Sequence, residues 1–264
     1  MSINYEKNFC IKYKSLETTV PVVKNKLSRN SFCIIKNIIN KKDINFMFKL
    51  FKKRFNSINE KRVSGPWKFK MKDFRRLDLG DSYKNSRFSR CITFCEWNKK
   101  NQKFYKIVSP IINIRNILSD VKKENYSYKN LIPYKNKKKN DQIFCDFVRM
   151  LQYPTGGGFL AQHDDFDQNY PEKIVNAILT ITSRRKKKNS KFSTYHRGGL
   201  YFIKNKKKFN VEDLMQSGDL IVFDQRIPHG VSSIDPHKKI FLNKLNGRIS
   251  LAFSIGRFVK WNEL

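Results

Sequence analysis

The chain has 264 residues, 39% of them hydrophobic and 22 of them phenylalanine, which suits one domain with a sizeable core. No apolar run is long enough to span a membrane, and residues 1–12 lack the apolar stretch of a signal peptide, so neither a membrane anchor nor a secreted product is expected. Lysine and arginine number 55 against 22 acidic residues, a formal net charge of +33 that would ordinarily suggest a polyanionic partner.

Two observations argue against reading that charge as a nucleic-acid surface. Most of it is scattered lysine in a chain also rich in asparagine, isoleucine and phenylalanine, the residues an A/T-rich coding sequence supplies. The concentrated clusters, Arg184 to Lys188 and Lys204 to Lys208, flank a Gly-Gly strand start and read as solvated hairpin loops. Nucleic acid is therefore a possible but not a favoured partner, and a small molecule is preferred. The five cysteines, at 10, 33, 91, 95 and 145, are odd in number and irregular in spacing. They argue against a disulfide framework and for a reducing, cytoplasmic setting. The oligomeric state is not legible.

In chain order, Phe32 to Ile39 is an apolar, β-branched run that predicts a strand. Lys41 to Phe55 carries Ile44, Met47, Phe48, Phe51 and Phe55 at helical spacing, with Asp43 as the expected N-cap. This stripe reads as core packing. Residues 64–98 hold Pro66, Gly80 and many polar groups and read as irregular. Lys103 to Leu118 predicts a second helix, broken near Pro110. Val121 to Asn140 reads as a surface loop. From Gln142 onward, short strands and turns alternate as in an all-β core. Gly156-Gly157-Gly158 lacks the Lys-Ser/Thr of a phosphate loop and reads as a turn.

The chemistry concentrates in that second half. His163 and Asp165 lie two apart, so on an extended strand they share a face, while Asp164 points the other way. His229 follows a turn and a buried strand at Gly218 to Asp224. Two imidazoles and one carboxylate form the set that leaves positions open on a non-heme iron. From Arg248 to Ile255 the chain alternates: Arg248, Ser250, Ala252 and Ser254 on one face, Ile249, Leu251, Phe253 and Ile255 on the other. The first face suits a pocket and the second a packed layer. An arginine there offers a planar fork that matches a carboxylate. Of the other histidines, His196 reads as a loop or strand-entry residue and His237 as solvated.

Taken together, these motifs resemble the 2-oxoglutarate- and Fe(II)-dependent dioxygenases, nearest to the prolyl-hydroxylase and phytanoyl-CoA-hydroxylase branches. The resemblance rests on His-x-Asp at 163–165, Gly198-Gly199-Leu200, Gly218-Asp219, His229 and Arg-x-Ser at 248–250. It covers roughly residues 142–260. It implies a mainly β fold, a double-stranded β-helix (a cupin-like jelly roll) buttressed by N-terminal helices. One oxygenase domain over 1–264 would comprise a supporting part at 1–141 and a core at 142–261. The resemblance also implies that His163, Asp165 and His229 bind Fe(II), with 2-oxoglutarate and O2 as cosubstrates and hydroxylation as the default outcome. Arg248 would hold the distal carboxylate of 2-oxoglutarate, helped by Ser250.

Arg248 lies 19 positions after His229, so a polar loop is expected around 235–247, and Arg257 is the fallback for Arg248. Arg149 and Tyr153 share a strand face and could reach cosubstrate or substrate; Gln152 would face the other layer. The arginines Arg75, Arg76, Arg87 and Arg90, with Asp164, are weak candidates for a substrate grip, with loop-to-barrel salt bridges an equal alternative. A small polar or carboxylated metabolite is the favoured substrate and a protein side chain the runner-up. An AlkB-like nucleic-acid demethylase would carry a second arginine six residues after Arg248, where Ser254 stands. A non-catalytic cupin-like binding module would lack a ligand or the arginine, and none is missing.

Overall fold

The computed structural model describes residues 5–58, 67–68, 71–82, 85–120, 142–166, 175–184 and 192–259. The N-terminal part runs α1 (Tyr5–Phe9), β1 (Cys10–Lys12), α2 (Leu16–Asn30), β2 (Phe32–Lys36) and α3 (Lys41–Ser57). It continues with β3 (Trp67–Lys68), β4 (Phe74–Ser82), β5 (Asn85–Phe94) and α4 (Gln102–Leu118). The second half is strand: β6 (Gln142–Tyr153), β7 (Gly158–His163), β8 (Val175–Thr180), β9 (Ser183–Arg184) and β10 (Ser193–Tyr195). It ends with β11 (Gly199–Lys204), β12 (Lys207–Asn210), β13 (Leu220–Asp224), β14 (His229–Ile234) and β15 (Arg248–Val259).

Strand order defines the architecture. The order β13-β8-β15-β6 forms one sheet of the core and β7-β14-β11-β12 the other, with β5 pairing to both β6 and β7 at the seam. Strands that alternate between two facing sheets in this way make a double-stranded β-helix. β2 extends the first sheet by pairing antiparallel to β13. Side-chain alternation then separates two cores. Leu151, Tyr153, Leu160, Phe202, Ile221, Phe223 and Val231 fill the space between the sheets. Val148, Met150, Leu179, Ile249, Leu251 and Phe253 leave the first sheet's outer face and pack with residues of α2, α3 and α4. Each fully buried phenylalanine or leucine contributes about 1.5–3 kcal/mol.

The helices have local causes. Ser15 and Thr18 form a capping box at the start of α2. In α3 the buried residues Ile44, Met47, Phe51 and Phe55 are those of the predicted stripe. Its N-cap is Asn40, whose side chain accepts from the Asp43 amide at 2.9 Å, so the cap sits three residues before the expected Asp43. Proline does not break α4, which runs through Pro110. The carbonyl that loses its partner at such a proline is that of Lys106, and the Ser109 hydroxyl donates to it at 3.0 Å.

Residues 74–94 are the main departure from the sequence reading. They form β4 and β5, paired from Phe74↔Thr93 to Ser82↔Asn85, and are not irregular. Arginine, serine and aspartate alternate with apolar residues there, so the strand signal is masked by polar groups on both faces. Lys204 and Lys207 are cross-strand partners at the β11–β12 turn, where Asn205 and Lys206 take positive φ, so this cluster is an exposed hairpin. The expected loop at 121–140 and residues 185–188 lie outside the described residues. No helix among the described residues is long and apolar enough to cross a membrane. Cys10, Cys33, Cys91 and Cys95 are free thiols.

Candidate active site

The β7 and β14 strands bring the two halves of the His-x-Asp…His motif together. His163 and His229 are direct partners across the ladder, with ring centroids 4.3 Å apart. β7 ends at His163, and Asp165 is fixed beyond it by its amide donating to the Gln225 carbonyl at 2.9 Å. Asp165 Oδ1 lies 3.6 Å from His163 Nε2, and Oδ2 lies 3.4 Å from His229 Nε2. One ligand atom from each of the three can be chosen within 4.8 Å of the others.

Hydrogen bonding fixes the tautomers. His163 Nδ1 is 2.9 Å from the Ala161 carbonyl, and His229 Nδ1 is 3.0 Å from the Ile227 carbonyl. A carbonyl only accepts, so each Nδ1 carries the proton and each Nε2 presents a lone pair. Both Nε2 lone pairs thus face the Asp165 carboxylate, an arrangement that calls for a positive charge: a metal ion or a proton. Burial works against charge on Asp165, yet His163 and His229 hold its carboxyl well below the usual carboxylate range. Burial likewise opposes charge on His163, but Asp165 outweighs it and raises the imidazole. Asn176 on β8 donates to Asp165 Oδ2 at 2.7 Å, orienting the carboxylate from outside the triad.

A buried arginine faces the same barrel interior as Tyr153. Arg248, 1% exposed, pairs with Tyr153 across β15 and β6 and sits with its Cζ 5.7 Å from the tyrosine ring. Its Nη1 donates to Ser250 Oγ at 3.0 Å and its Nε to Glu212 Oε2 at 2.8 Å, while Nη2 is buried without a hydrogen-bond partner. A buried, orphaned N–H on a guanidinium is the chemistry a ligand carboxylate satisfies. The donor set of the triad and this orphan fit Fe(II) and a 2-oxo diacid respectively.

The other sequence candidates divide by face. Arg149 shares the barrel-facing side with Tyr153 and donates to Ser254 Oγ at 3.2 Å. Arg87 is paired with Leu160 of β7, and its charge acts on both His163 and Tyr153. Arg76 is held by Asp78, with Nη2 donating to Oδ2 at 3.0 Å. Arg75 and Arg90 sit elsewhere, 4.8 and 4.9 Å from the Phe55 ring of α3, on the helix side of the sheet. Arg90 also donates to Gln152 Oε1, and Gln152 in turn donates to the Lys244 and Asn246 carbonyls, so both support the 235–247 loop and its neighbours. Asp164 is exposed and its side chain accepts from the Phe166 amide at 3.2 Å. The Arg257 side chain lies outside the described residues. Glu212, Tyr195 and Asn176 complete the site without having been singled out in the sequence.

The sequence matches no protein-family profile and no curated protein. Solved structures match over nearly the whole chain. A prolyl-4-hydroxylase from Pseudomonas putida aligns with 12% identity and a TM-score of 0.54, covering 90% of this chain and 98% of its own. A Trichoplax adhaerens prolyl hydroxylase, in complex with a hypoxia-inducible-factor peptide, aligns with 14% identity and a TM-score of 0.51 over 96% and 93%. The non-heme α-ketoglutarate-dependent epimerase SnoN of nogalamycin biosynthesis gives 8% identity and 0.51 over 92% and 84%. Such likenesses establish the fold. Inside that fold, this chain brings His163, Asp165 and His229 together as a cluster able to hold a metal ion.

Proposed function

We propose that this chain is an Fe(II)- and 2-oxoglutarate-dependent dioxygenase that hydroxylates a small polar or carboxylated metabolite. His163, Asp165 and His229 would hold the iron, and Arg248, Ser250 and Tyr153 would receive the distal carboxylate of 2-oxoglutarate. When bound, iron and cosubstrate supply the oxidation: 2-oxoglutarate loses CO2 and takes one oxygen atom of O2 to become succinate, and the other atom enters a substrate C–H bond. The chain's own residues do the rest. The Nδ1 anchors at Ala161 and Ile227 keep both Nε2 lone pairs on the metal side. Phe202 and Phe223 pack edge-on against His229, with ring centroids at 6.1 and 4.9 Å, and shield it from water. The buried Arg248 sets which end of the diacid lies deep.

The observation that carries the substrate class is the positive lining beside the triad. Arg87 and Arg149 face the barrel, and Arg76, held by Asp78, lies on the same face of β4. Such a lining favours an anionic group on the substrate. A protein side chain is the second reading, favoured by the likeness to two prolyl hydroxylases. The test is a succinate-release screen of carboxylated metabolites against proline-containing peptides, with iron and 2-oxoglutarate supplied. Stimulation by carboxylates supports the first reading; stimulation by peptides alone replaces it with the second. A single domain in a reducing, cytoplasmic setting is part of the same reading.

A further inference from the structure

Two buried arginines in this chain are built differently. Arg115 of α4 is completely satisfied: Nε donates to Asn116 Oδ1 at 3.1 Å, Nη1 to the Ser254 carbonyl at 2.9 Å and Nη2 to Asp146. Arg248 also has a buried acidic partner, Glu212, but keeps Nη2 orphaned. The difference lies in how Glu212 is held. It is 1% exposed and comes from the short 3₁₀ turn Val211–Leu214. Its Oε2 accepts from the Leu200 amide at 2.8 Å as well as from Arg248 Nε, and its Oε1 accepts from the buried Tyr195 hydroxyl. Gly199 leaves room for it: a Cβ there would stand 2.5–2.9 Å from the glutamate's side-chain carbons. The carboxylate is therefore a fixed point, tied to the backbone of β11.

A guanidinium is a planar, rigid fork. With Nε fixed on Glu212 and Nη1 on Ser250, the position and direction of Nη2 follow. Leu200, whose amide holds Glu212, pairs with Val231, two residues from His229 along β14, so this backbone point stands about 7 Å from the histidine level along the barrel. We propose that Glu212 is a positioning residue that sets how far Arg248 reaches toward the metal, and thereby the length of 2-oxo diacid that fits between them. The inference rests on the dioxygenase reading above.

The test is anaerobic titration of the Fe(II)-loaded protein with 2-oxoglutarate and with 2-oxoadipate, one methylene longer, following the visible charge-transfer band. Glu212→Asp draws the guanidinium back toward the anchor by one carbon–carbon bond, about 1.5 Å. Wild type is expected to prefer 2-oxoglutarate, and Glu212→Asp to shift the ratio of the two Kd values toward 2-oxoadipate by about tenfold or more, the scale of a misfitted methylene. Fe(II) affinity measured without cosubstrate should match wild type. A merely structural glutamate would lower the melting temperature and leave the ratio alone; an unchanged ratio in a folded, iron-binding variant overturns the inference. Should Glu212→Asp not fold, Tyr195→Phe frees only Oε1: a shifted ratio of the 2-oxoglutarate and 2-oxoadipate Kd values at unchanged Fe(II) affinity supports the inference, and a wild-type ratio overturns it. No band with wild type and either diacid would overturn the dioxygenase reading itself, and this inference with it.

Discussion

His163 and His229 stand directly opposite each other on adjacent antiparallel strands, and each ring is pinned through Nδ1 to the carbonyl two residues before it. The two anchors repeat one local solution at both ends of a cross-strand pair. The lone pairs that result face the same carboxylate, so backbone hydrogen bonds set the mutual orientation of the two imidazoles.

The carboxylate is oriented from outside. Asn176→Ala removes the 2.7 Å hydrogen bond to Asp165 Oδ2 while leaving all three ligands in place. Metal affinity is expected to fall about 10–100-fold, the usual cost of losing such a partner, with little change in melting temperature. Titration with Fe(II), or with Co(II) as a spectroscopic substitute, reads this directly; wild-type affinity would show that Asn176 does not orient the ligand.

Proton and metal compete for the same Nε2 atoms. Because Asp165 lifts His163 above an ordinary histidine and the histidines press Asp165 below an ordinary carboxylate, their contact in the metal-free protein contributes most between those two ranges. Its stabilisation fades as pH rises through the raised His163 value and as pH falls through the lowered Asp165 value. Metal binding must displace the His163 proton, so affinity should climb as pH increases through the histidine range, with proton release. Calorimetry in two buffers of different ionisation heat measures that release; buffer-independent heats near neutral pH would contradict it.

Away from the site, Arg115 ties α4 to β6 and β15 through Asp146 and the Ser254 carbonyl. Arg115→Leu leaves a buried carboxylate without its cation. We expect a loss of about 3–5 kcal/mol in urea unfolding. A loss under 1 kcal/mol would mean that water or a neighbour takes over the pairing.

Gly199 tests the anchor's surroundings from the backbone side. Its φ is +125° and the space where a Cβ would sit belongs to Glu212. Gly199→Ala should destabilise the fold and weaken 2-oxoglutarate binding together, whereas a change in stability alone would separate the glycine from the Arg248 anchor.

What could be read from the sequence was what alternation and spacing encode. On β15, Ile249, Leu251 and Phe253 face the helices while Arg248 and Ser250 face the barrel, and that pattern is visible in the letters alone. The triad was legible because histidine is scarce here, with four in the chain. β4 and β5 were not legible, since Arg76, Asp78, Ser89 and Thr93 are polar residues that the fold turns toward its interior. Glu212 was hidden for a different reason. In Val211–Leu214 it looks like a surface acid, and only the return of β15, 36 residues later, gives it the arginine that justifies its burial. Pro110 misled because the compensating hydroxyl of Ser109 has no separate sequence signature.

The central claim is that these three ligands and Arg248 assemble one iron and 2-oxoglutarate site. The most direct measurement is anaerobic addition of Fe(II) and 2-oxoglutarate to wild type and to His229→Ala, monitored for the weak visible charge-transfer band. The account predicts a band in wild type that His229→Ala abolishes. Absence of the band in wild type, or its persistence in a folded His229→Ala variant, would contradict it.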